Sequence, residues 1–276
     1  MKNLKKKSVK AFVATALLVP AAAIGVVALS CKLNIVNYTL QTEKFTKPVR
    51  VVMLSDLHAS IYGDNQIDLI RAVKAQNPDI IVFAGDILVE DMPHLASIML
   101  LEGIKDICPC YAAAGNHELK TDDKTACKKI FRRYGVTVVE SENHTITING
   151  QTIDICGLED PFAGQKEFRR QIEVLKKFKT DNFSLLISHH AEFAALYKKM
   201  DFDLIFSGHA HGGQWRIPFV LNGLYAPDQG FFPQYAGGVY TYNNTTQIVG
   251  RGLVKFYIIP RVFNRPELVV VDIVPK

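Results

Sequence analysis

Residues 49–58 read VRVVMLSDLH and residues 80–86 read IIVFAGD. Each is a run of β-branched and aliphatic side chains without polar alternation, as expected of a strand buried on both faces. Each stops at an aspartate. Between them, Asp64–Gln76 carries Ile67, Ile70, Ala72 and Val73 at helical spacing, and Asn77-Pro78-Asp79 closes the helix. A helix near Pro93–Ile107, a strand at Tyr111–Ala114 and a lysine-rich helix at Asp122–Tyr134 continue the alternation. Strand, helix, strand in this order predicts a largely parallel sheet covered by helices.

Working outward, the second half changes character. Short strands are expected at Val136–Glu140, Thr145–Ile148 and Thr152–Gly157, with Asn149-Gly150 as a hairpin turn. A helix at Gln165–Lys177, a strand at Phe183–Ser188, a helix at Ala191–Lys199 and a strand at Asp203–Ser207 follow. After Gly212 the chain is rich in Gly, Pro and Tyr, and it ends in a strand, Glu267–Val274. The fold class is therefore α/β, two packed mixed sheets with helices outside.

The N-terminus is of another kind. Lys2, Lys5, Lys6, Lys7 and Lys10 precede Ala11–Cys31, a run without a charged residue. The net charge of +5 is carried by these lysines, leaving the remainder formally neutral, so the charge points to a membrane and no nucleic-acid partner is expected. As a helix, residues 11–31 would rise about 30 Å, a bilayer's hydrocarbon thickness. Three readings stay open: an uncleaved single-pass anchor, a signal peptide cleaved after Ala28-Leu29-Ser30, or a lipoprotein signal with Cys31 as the lipid-bearing residue. All place the lysines in the cytoplasm and the folded domain at the extracytoplasmic side of the cell membrane. The organisation is then a basic segment (1–10), a hydrophobic helix (11–31), a polar linker (32–47) and a catalytic domain (48–276). The five cysteines are irregularly spaced and fit neither a zinc ribbon nor a thioredoxin motif, so they read as packed thiols.

The chemistry sits where strands end. These ends carry Asp56 and His58, then Asp86, then Asn116, His117 and Glu118, then His189 and His190, then His209 and His211. In an open α/β sheet, ligands gather at the carboxyl ends of strands, so these distant residues should converge. Imidazoles and carboxylates without thiolates suit manganese, iron or zinc rather than a closed structural zinc. No Gly-x-Gly-x-x-Gly follows the first strand, which argues against a dinucleotide-binding oxidoreductase.

These blocks (Asp-x-His, Gly-Asp, Gly-Asn-His-Glu, a His after a strand, Gly-His-x-His) resemble the calcineurin-like metallophosphoesterases over residues 48–274. The stretch from Ser207 to Gln214 resembles the membrane-associated bacterial branch, as do Tyr235-Ala236-Gly237-Gly238, Arg251-Gly252-Leu253 and Arg265-Pro266-Glu267. That branch includes enzymes cleaving UDP-diacylglucosamine and proteins acting on simple phosphodiesters. The resemblance implies a four-layer sandwich and two divalent metal ions. Asp56, His58 and His211 would hold one ion, and Asn116, His189 and His209 the other. Asp86 would bridge them together with a water or hydroxide that attacks phosphorus, and His117 would serve the leaving group. Ala191 and Val254 depart from the family's usual proline and glycine.

His190 is expected either to support a ligand or to face substrate. Arg251, Arg261 and Arg265 are candidates for phosphate contact. The expected activity is membrane-tethered hydrolysis of a phosphoester or pyrophosphate, on a small phosphorylated substrate or one linked to a lipid or a nucleotide. The competing expectation is an inactive metal-binding membrane scaffold of the same fold.

Overall fold

The computed structural model describes residues 23–90, 94–256 and 259–276. One sheet contains β1 (Asn34–Thr42), β2 (Val49–Leu54), β3 (Ile80–Ala84), β4 (Cys110–Ala113), β5 (Val136–Val138) and β14 (Glu267–Pro275), in the order β1-β14-β2-β3-β4-β5. Strands β2 to β5 run parallel, and β14 is antiparallel to β2. The other sheet contains β6 (His144–Ile148), β7 (Gln151–Leu158), β8 (Phe183–His190), β9 (Leu204–Gly208), β12 (Gly238–Tyr242) and β13 (Thr245–Val249), in the order β12-β13-β9-β8-β7-β6. A short hairpin, β10 (Tyr225–Ala226) and β11 (Gly230–Phe231), stands apart.

The central strands are largely apolar because both of their faces are covered. Val51, Met53 and Val82 point inward against Ile155, Leu185, Ile187 and Phe206 of the other sheet. Their sequence neighbours Val52, Leu54, Ile81 and Phe83 point outward, against helices α1 (Ile67–Lys74), α2 (Leu95–Ile104) and α4 (Ala126–Arg133), as a period of two requires. Cys156, Leu186 and Ile205 pack under α5 (Gln165–Lys177) and α6 (Ala194–Tyr197). Each such side chain contributes about 1.5–3 kcal/mol of burial. The result is helix, sheet, sheet, helix, with the carboxyl ends of β2, β3, β4, β8 and β9 meeting at one edge.

Three expectations need correction. The residues read as a polar linker, 32–47, contain β1, an edge strand in parallel register with β14 (Asn34 opposite Glu267). Its sequence, NIVNYTLQT, alternates between half-buried and exposed positions, so the average polarity hid the periodicity. The helix expected at Ala191–Lys199 shrinks to α6, because β8 continues to His190, which pairs with Gly208. In the Gly- and Tyr-rich tail, β12 and β13 form an unforeseen hairpin around Asn243, whose φ of 51° makes the tight turn.

Most of the hydrophobic helix expected at 11–31 lies outside the described residues. Residues 23–28 are helical, and no helix among the described residues is long and apolar enough to cross a membrane. All five cysteines are unpaired.

Candidate metal centre

Asp56 and His58 leave β2, Asp86 leaves β3, and Asn116 and His117 open α3 (Asn116–Leu119) after β4. His189 is the penultimate residue of β8, while His209 and His211 follow β9. These ends meet. Ligand atoms of Asp56, His58 and His211 form one group, and those of Asp86, His189 and His209 a second, within 4.8 Å of one another in each. Asp86 links the two: its Oδ2 is 3.1 Å from His189 Nε2 and 3.5 Å from His58 Nε2.

The backbone makes this convergence at a cost. Asp56, His58, Asp86, His209 and His211 all have positive φ, between 41° and 67°. Left-handed geometry at non-glycine residues costs about 1–3 kcal/mol each, and such strain clusters at functional sites. Gly85 and Gly115 make room: a Cβ on Gly85 would overlap the His189 ring, and one on Gly115 would overlap the Asp86 carboxylate. Buried Glu118 ties the turn together, accepting hydrogen bonds from the backbone N–H groups of Asp86, Ile87, Leu88 and Gly115 at 2.7–2.9 Å.

The donor set fits cations. The carboxamide oxygen of Asn116 is 3.3 Å from His189 Nε2, 3.2 Å from His209 Nδ1 and 3.3 Å from Asp86 Oδ2. Hydrogen bonding alone would favour the amide turned over, nitrogen inward. A cation among these atoms makes the inward oxygen the better arrangement. His189 Nδ1–H donates to the Ala84 carbonyl at 2.7 Å, which turns Nε2 toward Asp86, where it would face a cation. Asp228 does the same for His209, its carboxylate 2.7 Å from Nε2 while Nδ1 faces inward.

Electrostatics agree with this geometry. Burial works to raise the Asp86 carboxyl, but His189, His58 and His117 outweigh it and hold it well below the usual carboxylate range. Burial, with the charge of Asp86 adding to it, raises Asp56. Against burial, Asp86 and Asp56 raise His189 well above its ordinary value. Burial and the neighbouring His189 and His190 push His209 down to about 4, and burial with His58 holds His211 well below its ordinary value. The two buried carboxylates thus favour positive charge at the centre, which is the charge a metal would supply.

The centre opens into a cleft of about 290 Å³, lined by Asp86, Asn116, His117, His209 and His211 and by groups the sequence did not single out: Lys120, Phe162, Pro227 and Asp228. Glu90, 2.8 Å from His117 Nδ1, holds that ring with Nε2 toward Asp86, 3.9 Å away. Lys120 Nζ lies 3.0 Å from the outer atom of the Asn116 amide and 5.3 Å from the centre of the Phe162 ring. None of these has a sequence signal, since each reaches the cleft only through loop geometry.

Other expected substrate contacts fall elsewhere. His190 borders the cleft, but Asp160 and Glu192 bond its two ring nitrogens. Burial would lower this imidazole, yet the two carboxylates raise it to about 9, so it stands as a clamped imidazolium. Arg251 does not line the cleft; its Nε is 3.1 Å from the fully buried carboxylate of Glu267, which needs a cation. Arg261 is buried and donates to the Arg251 carbonyl at 2.7 Å. Arg265 donates to the carbonyls of Lys32 and Leu33.

Comparison with known proteins agrees with this architecture. A family model described as calcineurin-like phosphoesterase matches residues 49–213. The chain is 29% identical over 229 residues to the uncharacterized metallophosphoesterase YkuE of Bacillus subtilis, covering 80% of this chain and 77% of the relative. It is 25% identical over 233 residues to the phosphodiesterase YaeI of Escherichia coli, covering 82% and 83%. Among solved structures, the NAD nucleotidase NadN of Haemophilus influenzae shares the fold with a TM-score of 0.50 at 13% identity, over 75% of this chain and 51% of that one. The matched segment spans β2 to the His211–Gly213 turn, and so contains every strand end that feeds the centre. The chain belongs to the calcineurin-like phosphoesterase family, hydrolases of phosphoester bonds.

Proposed function

We propose that the chain hydrolyses a phosphoester or pyrophosphate bond with two divalent cations, and that residues 11–31 hold it at the membrane with its catalytic domain on the extracytoplasmic side. The observation that carries the reading is Asp86. One buried carboxylate stands between Asp56, His58 and His211 on one side and Asn116, His189 and His209 on the other. Manganese, iron and zinc all suit that mixed nitrogen and oxygen set.

When bound, such a cation pair neutralises phosphoryl oxygens and supplies a water nucleophile of low pKa. The chain's own residues do the rest. Asp86 holds the two halves of the site in register. Ala84 and Asp228 fix the ring orientations of His189 and His209. His117, steadied by Glu90, presents Nε2 to the cleft and gives a proton to the departing oxygen. Lys120, beside Asn116 at the mouth, pairs with a further anionic oxygen of the substrate. A phosphodiesterase and a nucleotidase among the similar proteins support a small phosphorylated substrate.

The test combines metal analysis with a substrate panel. Chelated protein would be reloaded with manganese, iron or zinc and given bis(p-nitrophenyl) phosphate, p-nitrophenyl phosphate and a dinucleotide pyrophosphate. The expected result is two ions per chain and turnover of at least one compound. Metal-replete protein inert on all three would sink the enzymatic reading in favour of a scaffold. Protease accessibility of the domain in spheroplasts, but not from the cytoplasmic side, checks the orientation.

A further inference from the structure

The segment after the His211–Gly213 turn is unlike the rest of the surface. Trp215, Ile217, Phe219, Val220, Phe231 and Phe232 are between 42% and 110% exposed, Phe219 the most open. Scattered exposed apolar residues are ordinary, but this many large ones within residues 215–232 form a patch that calls for a partner. The backbone beneath them is ordered by hydrogen bonds. Val220 N–H donates to Ile217 O at 3.0 Å, Leu224 N–H to Trp215 O at 2.8 Å, and Phe232 N–H to Leu224 O at 2.8 Å.

Two further observations say what covers it. The hairpin of β10 and β11 carries Phe231 of the patch on its second strand, with Phe232 next to it, while its turn, Pro227-Asp228, lines the metal cleft. The same surface receives the end of the apolar N-terminal run: Trp215 pairs with Val262, and Phe263 N–H donates to the Ala28 carbonyl at 2.7 Å. No slack separates that run from the domain. The run ends at Cys31, β1 starts at Asn34, and Arg265 pins the intervening Lys32 and Leu33 carbonyls at 2.9 and 2.8 Å. A bilayer that takes up residues 11–31 therefore lies against this face. Tryptophan settles at the membrane–water interface, and phenylalanine accompanies it on the apolar faces of segments that lie in that boundary.

We propose that this aromatic collar docks on the lipid bilayer, seating the mouth of the metal cleft at the layer of lipid phosphates. The docking rests on the reading of residues 11–31 as a membrane segment. It adds that the domain lies on the membrane rather than hanging from it.

Trp215 is the sole tryptophan of the chain, so its emission reports on the collar alone. The full-length protein, loaded with metal, would be reconstituted into vesicles of phosphatidylethanolamine and phosphatidylglycerol, with plain or with brominated acyl chains. Docking predicts that Trp215 loses most of its emission in the brominated vesicles. The combined substitution Phe219→Ser, Val220→Ser, Phe231→Ser and Phe232→Ser should restore the emission, while flotation with vesicles and hydrolysis of bis(p-nitrophenyl) phosphate persist. Equal emission in both lipids from protein that floats would overturn the docking and leave the tether standing. Protein that does not float would overturn both. Protection of Trp215 in detergent that grows with protein concentration would assign the collar to a second copy and overturn the proposal. Quenching in protein that fails to hydrolyse would support the docking and count against the enzymatic reading alone.

Discussion

The two sheets contribute opposite chemistry to one pocket. Strand ends of the first supply Asp56, Asp86, Asn116 and Glu118, with His58 and His117. Those of the second supply imidazoles, His189, His209 and His211, and neither carboxylate of the centre. The first half alone would bury two negative charges, which is prohibitive without a counter-ion. The second alone would bury weakly basic rings. Only the packed pair makes a site whose charge a small number of cations can balance. The site is thus a property of the interface between sheets, and its variants can be ordered by how much of that interface each disturbs.

Removing the carboxylate shared by both halves comes first: Asp86→Ala should abolish turnover and lower the metal content, measured by elemental analysis on folded protein. Full metal content in that variant would break the picture of a shared centre. His117→Ala leaves both ligand triads intact, so it should slow turnover about 10²–10⁴-fold with the metal retained. A parallel loss of metal would reassign His117 as a ligand. Glu118→Ala acts one layer back, orphaning four backbone donors. Metal affinity should fall about 10–100-fold, read by chelator competition. Lys120→Ala, at the rim, should raise KM about tenfold with little change in kcat, in line with a charged hydrogen bond of about 1.5 kcal/mol. A drop confined to kcat would remove the substrate contact. The charge balance itself has a signature. The buried carboxylates raise His189 well above its ordinary value, so protons and cations compete for this ring. Affinity should therefore fall as pH falls, and titrations in buffers of different ionisation enthalpy should show net proton release. Binding without proton release would contradict that account.

Much of this was legible from residue order. Asp56, Asp86, Asn116, His189 and His209 stand at the ends of recognisable apolar runs, and parallel strands deliver such ends to one edge. The left-handed backbone at Asp56, His58, Asp86, His209 and His211 was not legible, because nothing in local composition demands positive φ from those residue types. Strand β1 was missed because a partly polar edge strand has no apolar run to announce it. Arg251 was ambiguous for an instructive reason. A guanidinium suits phosphate, but it suits a buried Glu267 equally well, and only tertiary structure says which one is near. The reverse holds for Lys120, Glu90 and Asp228, unremarkable in sequence and brought to the cleft by turns.

The placement of β14 bears on biogenesis. The last strand lies between β1 and β2, so two early neighbours in the chain are held apart by residues 267–275. A nascent polypeptide can pair β2, β3 and β4 as they emerge, but β1 has no seat until β14 has been made. Loss of residues 267–275 would unfasten β1, and with it the anchorage of the amino-terminal segment.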